Sequence, residues 1–192
     1  MKIKQSLITT FTIISLSILQ GCVGVATVAV VSGASIASDH RTISKQIDDQ
    51  TIEYNASRKI TKNKALEQQT NLHLVSINGA LLIVGQAPNS YLRDLAIKEI
   101  STIEGVVKVH NQIRIGNTTS ITTRSNDVWL TSKVKTALLG SDKLNPTKIK
   151  VITENSEVFL MGIVNHKEAD EAVEITRNIS GVNRVFLAFE YQ

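Results

Sequence analysis

Leu72-His73-Leu74-Val75-Ser76-Ile77-Asn78-Gly79-Ala80-Leu81-Leu82-Ile83-Val84-Gly85 decides the fold, because it returns as Ile149-Lys150-Val151-Ile152-Thr153-Glu154-Asn155-Ser156-Glu157-Val158-Phe159-Leu160-Met161-Gly162. The offset is 77 residues, and Gly85 falls on Gly162. Further on, Ile103-Glu104-Gly105-Val106-Val107-Lys108-Val109 returns as Ile179-Ser180-Gly181-Val182-Asn183-Arg184-Val185. Self-similarity at a fixed period marks a repeated structural unit. The chain therefore holds two copies of one small domain.

Each copy reads in the same order. Leu72 and Leu74, like Ile149 and Val151, alternate with polar neighbours as in a half-buried strand. Asn78-Gly79 offers the positive φ angles of a tight hairpin, and Asn155-Ser156 is a poorer version that leaves the second turn type open. The returning strands, Ala80 to Val84 and Val158 to Val164, are apolar on both faces and so are expected at the centre of a sheet covered by helices on at least one side. Pro88-Asn89-Ser90 and Asn165-His166-Lys167-Glu168 read as helix starts, the latter as a capping box, with Gly105 and Gly181 as helix stops. A last strand follows in each copy, through Val107, Val109 and Gln112 to Ile115, and through Val185, Leu187 and Phe189. A helix precedes each hairpin, clear over Asp127 to Leu139 and weaker around Asp49 to Ile60, which makes each copy α-β-β-α-β.

That order, with Val84-Gly85-Gln86-Ala87-Pro88-Asn89, Ser125-Asn126-Asp127-Val128-Trp129 and the Gly-Val pair before each last strand, resembles the BON domain. The resemblance covers essentially the whole chain and implies an α+β fold: two tandem BON domains, each with helices packed on one face of a small three-stranded mixed sheet. The expected division is a signal peptide at 1–21, an acylated cysteine and tether at 22–42, BON domain 1 at 43–116, a Thr/Ser-rich linker at 117–124 and BON domain 2 at 125–192.

Location is written at the other end. Lys2 and Lys4 precede a short apolar run that closes on Leu19-Gln20-Gly21-Cys22, the parts of a bacterial secretion signal. Leu and Gly at minus three and minus one from the only cysteine are similar to a lipobox, which implies cleavage before Cys22 and lipidation of it. An uncleaved signal anchor is the rival reading, since no charge occurs from Gln5 to Ser38. Against it, Gln20-Gly21 interrupts the apolar run and residues 23–38 are mostly small. A buried thiol in an ordinary helix is the plain alternative for Cys22. Val23 after the cysteine, by resemblance to enterobacterial lipoproteins, implies the periplasmic face of the outer membrane.

Cleavage there leaves 171 residues carrying 19 basic and 17 acidic side chains. That balance gives no field for nucleic acid. His40, His73, His110 and His166 have no metal-ligand spacing, and no nucleophile elbow, P-loop or dinucleotide fingerprint occurs. No catalytic residue, metal, cofactor or small-molecule substrate is expected, and the protein is read as no enzyme.

One surface invites a partner. On the 127–139 helix Leu130, Val134, Ala137 and Leu138 fall on one stripe at about 100° per residue, while Trp129 falls at its edge or outside. Indole suits a membrane interface, and Lys133 and Lys135 flank it with charge for anionic headgroups. The candidate phospholipid-contact set is Trp129, Leu130, Ser132, Lys133, Lys135, Thr136 and Leu139. Resemblance points the same way, since BON domains are thought to bind phospholipid. The expected partner is an anionic phospholipid membrane, in support of envelope integrity. The alternative is a periplasmic scaffold that binds envelope proteins through the same face. The equivalent region of the first copy, with Ile52, Tyr54, Ala56, Arg58 and Lys59, reads as a supporting module or partner surface.

Overall fold

A computed structural model of the chain describes residues 43–192; the expected signal peptide, Cys22 and the tether lie outside the described residues. The first copy runs α1 (Ile43–Lys62), α2 (Lys64–Gln69), β1 (Asn71–Ile77), β2 (Ala80–Ala87), α3 (Ser90–Ser101) and β3 (Lys108–Ile115). The second runs α4 (Ile121–Leu139), a 3-10 turn (Pro146–Lys148), β4 (Ile149–Glu154), β5 (Glu157–Val164), α5 (His166–Arg177) and β6 (Arg184–Tyr191). Each hairpin's second strand is central, antiparallel to the strand before it and parallel to the strand after α3 or α5. These are the two α+β units the repeat predicts.

Local chemistry accounts for the boundaries that differ from expectation. α4 starts at Ile121, so residues 121–124 are helix and not linker. Ser120 Oγ accepts the Thr123 N–H at 3.1 Å, so a serine in a run that reads as loop is used as an N-cap. The short α2 is an element the sequence pattern does not announce: Asn63 caps it through the Ala65 and Leu66 N–H groups, and buried Leu66 pins it. Six residues are too few to show a helical period. α3 and α5 end at Ser101 and Arg177, ahead of Gly105 and Gly181, which take positive φ in the turns that follow.

Both hairpins turn the same way. Asn78 and Gly79 have φ of 53° and 77°, and Asn155 and Ser156 of 52° and 61°. A buried aspartate clasps each turn. Asp49 of α1 accepts the Asn78 and Gly79 N–H groups at 2.8 and 3.0 Å, and Asp127 of α4 accepts those of Asn155 and Ser156, both at 2.8 Å. Satisfying two backbone donors ties the first helix of each domain to its hairpin.

The apolar character of the central strands is used on both faces. Leu81 and Ile83 pack under α1 and α3 with Ile52, Ala56, Leu92, Ala96 and Ile100. Val158 and Leu160 pack under α4 and α5 with Val134, Leu138, Ala169 and Ala172. The alternate residues Leu82, Val84, Phe159 and Met161, with Ile77, form a third cluster in which the two sheets meet face to face. Phe159 stacks on Phe186 there, ring centroids 4.9 Å apart. The layers run helix, sheet, sheet, helix. At one edge of the sheet contact lies Glu154, only 4% exposed, which accepts from Gln86 Nε2 at 2.8 Å and Thr119 Oγ1 at 3.1 Å and faces His73 Nε2 at 3.3 Å. Arg114 pairs with Glu157 at 2.5 Å and Lys150 with Glu53 at 2.7 Å, each across the two domains.

Candidate functional site

α4 is held from three sides. Leu130, Val134 and Leu138 bury one stripe, Asp127 binds the hairpin turn, and Thr131 Oγ1 donates to Thr153 Oγ1 of β4 at 2.8 Å. What remains faces outward. Trp129 is 59% exposed, and Ser132, Lys135, Thr136 and Leu139 are exposed beside it. Leu130 has to be taken out of the contact set: it is 1% exposed, seated against Gly181, and its role is to hold the helix on the sheet.

Lys133 has a more particular place than a free headgroup ligand. Its ammonium lies 4.3 Å from the centre of the Trp129 ring and donates to the Ser180 carbonyl at 2.8 Å. The side chain thus bridges α4 to the turn after α5 and carries the indole on its back, a cation–π contact that orients the ring. Trp129, Ser132, Lys133, Thr136 and Ala137 line a shallow cleft closed by Ile179 and Ser180. Lys135 stands exposed outside it.

Two contributors escaped the sequence reading. Ile121 and Val128, one i,i+7 step apart, are exposed on α4 and lengthen its apolar outer face at the N-terminal end. The signal is present as that spacing, but residue 121 sits in a Thr/Ser-rich run that reads as linker. In the first domain the matching cleft is lined by Asn55, Arg58, Lys59, Lys62, Thr102, Ile103 and Glu104, cationic where the second is aromatic.

The described histidines serve structure. His73 meets Glu154, and His166 stacks on Tyr191 with centroids 4.3 Å apart. Burial pushes the His110 imidazole below its usual pKa, helped by the charge of Lys108. Among the described residues, no group of acidic, histidine or cysteine side chains is arranged to hold a metal ion, and no helix is long and apolar enough to cross a membrane.

The BON-domain family model matches residues 48–117 and 126–189. The chain is 38% identical over 177 residues, 90% of each chain, to the outer membrane lipoprotein DolP of Haemophilus influenzae. It is 35% identical over 153 residues, 80% of this chain and 79% of the relative, to the 21 kDa hemolysin of Actinobacillus pleuropneumoniae. A shorter match, 38% over 61 residues and covering 31% of this chain and 30% of the other, is to the osmotically-inducible protein Y of Escherichia coli. None of the three names is that of an enzyme.

Proposed function

This chain belongs to the BON-domain family and is one of its outer-membrane lipoproteins, and from that premise we propose that the outer face of α4 binds anionic phospholipid in support of envelope integrity. The observation that carries the reading is an exposed indole with an ammonium on its ring, set in a helix face that also exposes Ile121, Val128 and Leu139. An apolar ring with a wet N–H suits the headgroup boundary, and each nearby lysine adds roughly 1 kcal/mol of attraction to an anionic surface. Lys133 sets the ring's angle while Lys135 supplies exposed charge. A lipid anchor at Cys22 would hold this weak site close to bilayer, so modest intrinsic affinity suffices.

The test uses residues 39–192 and the chain's single tryptophan as reporter. Vesicles containing phosphatidylglycerol should shift its emission to the blue, less so in high salt, and pure phosphatidylcholine vesicles should not. Lys135→Glu should weaken the response without unfolding the protein. No shift at any lipid composition, together with capture of an envelope protein that Trp129→Ala abolishes, would replace the lipid reading by a protein scaffold working through the same face.

A further inference from the structure

β6 is an edge strand, paired only to β5, and the hydrogen bonds of the described residues leave its outer side open. Its sequence is Arg184-Val185-Phe186-Leu187-Ala188-Phe189-Glu190-Tyr191, with Leu187 48% exposed at its middle. It carries no proline, and its only charges are at 184 and 190. Strands of this kind template pairing with another strand.

We propose that two copies of the protein associate through β6, antiparallel, about a two-fold axis at Leu187. In that register Arg184 faces Glu190 of the second copy at both ends, Val185 faces Phe189, Phe186 faces Ala188, and Leu187 faces its own copy. Each of these cross-strand pairs is then complementary, opposite charge on opposite charge and apolar on apolar, as stable antiparallel ladders require. A shift by two residues puts Arg184 against Ala188 and leaves Glu190 without a partner. Arg184 contacts Glu157 at 3.7 Å and Asn78 contacts Glu190 at 3.1 Å, but Arg184 and Glu190 are themselves exposed and can add a second partner. A contact of this kind uses the same patch twice and closes.

The first domain supplies an internal control. β3 occupies the equivalent edge, and its corresponding charges are Lys108 and Arg114. The same two-fold register there sets Lys108 against Arg114, like charge on like charge at both ends, which opposes pairing. One sign change separates a self-repelling edge from a self-complementary one.

Directly opposed residues of an antiparallel pair point to the same face. Val185 and Phe189 pack under the second domain's helices, so Leu187 is on the helix face too. The dimer would therefore be a continuous six-stranded sheet with both α4 helices on one side, presenting two Trp129 faces in the same direction. The proposal does not depend on what those faces bind.

The full chain in detergent micelles, with Cys22→Ser to leave no other thiol, tests it by sedimentation and cross-linking. Leu187→Cys should form disulfide-linked dimers on mild oxidation, since directly facing residues of an antiparallel pair lie about 4.5–5.5 Å apart at Cα, within reach of a disulfide. Asn111→Cys, the same position on β3, should stay monomeric. Glu190→Arg should weaken the dimer by roughly tenfold or more, as both end pairs turn repulsive, and adding Arg184→Glu should restore it. A monomer at all concentrations, equal cross-linking at Asn111→Cys, open-ended oligomers, or a dimer indifferent to Glu190→Arg would overturn the proposal.

Discussion

Ser156 holds a left-handed backbone that its counterpart Gly79 adopts without a side chain to strain it. An L-residue in that conformation costs about 1–2 kcal/mol, and here the Asp127 clasp offsets it. Ser156→Gly should accordingly raise stability by about 1 kcal/mol, read as a higher urea midpoint. The reverse exchange is worse than symmetrical. A Cβ at Gly79 would stand 2.6 Å from the Gly105 carbonyl oxygen, so Gly79→Ser should lower the midpoint by more than the gain at 156. Gly85 and Gly162 answer to contact of the same kind, since an added Cβ would meet the Asn71 oxygen at 1.8 Å and the Lys148 oxygen at 2.5 Å. These conserved features of the two copies were legible as repeated letters, whereas the aspartate clasp was not. It joins residues 28 apart in sequence, and a lone Asp near a helix start reads as a cap.

At the scale of the element, α4 separates what holds it from what it offers. Asp127→Ala strands two backbone N–H groups and should cost about 2 kcal/mol or more, seen as a lower thermal midpoint. Trp129→Ala removes an exposed ring and should change stability by no more than about 0.5 kcal/mol while abolishing vesicle co-sedimentation. The helical period picks out Leu130, Val134, Ala137 and Leu138 as the inner stripe and Trp129 as outside it, because 3.6-residue spacing depends only on the backbone; three of the four are buried, while Ala137 is half-buried and lines the outer cleft. It said nothing of Lys133 reaching the Ser180 carbonyl, a contact between residues 47 apart. α5 was the most legible helix: its Asn165 and Glu168 form the full capping box, and the hydrogen bond from the Asn165 N–H, with the charge of Lys148, outweighs burial and holds the Glu168 carboxyl below its usual range.

For the whole molecule, the continuous apolar runs of β2 and β5 announced burial on two sides but named only one cover, the helices. The second cover is the other domain's sheet, a fact no single strand's pattern contains. The two domains should thus unfold together, in one calorimetric transition whose enthalpy matches its van't Hoff value. Phe159→Ala, by opening a cavity between the sheets, should cost about 3–5 kcal/mol and lower the stability of both domains. Glu154 adds a pH term. Burial alone would raise its carboxyl, but hydrogen bonds from His73, Gln86 and Thr119 and the charge of His73 outweigh it and lower the pKa. With the folded value below the unfolded one, this stabilisation is complete above the ordinary carboxylate range and is lost as pH falls through the lowered folded value. Glu154→Gln should flatten that acidic limb of the stability profile. The four-layer stack also assigns the protein a near side and a far side. With α4 lying on lipid, the Tyr54, Arg58 and Lys62 surface of α1 stands three interlayer spacings away, roughly 30 Å at about 10 Å each, facing the compartment and not the bilayer. A body docked there would displace no headgroup, so the lipid contact proposed for α4 would leave the opposite face accessible to a second partner.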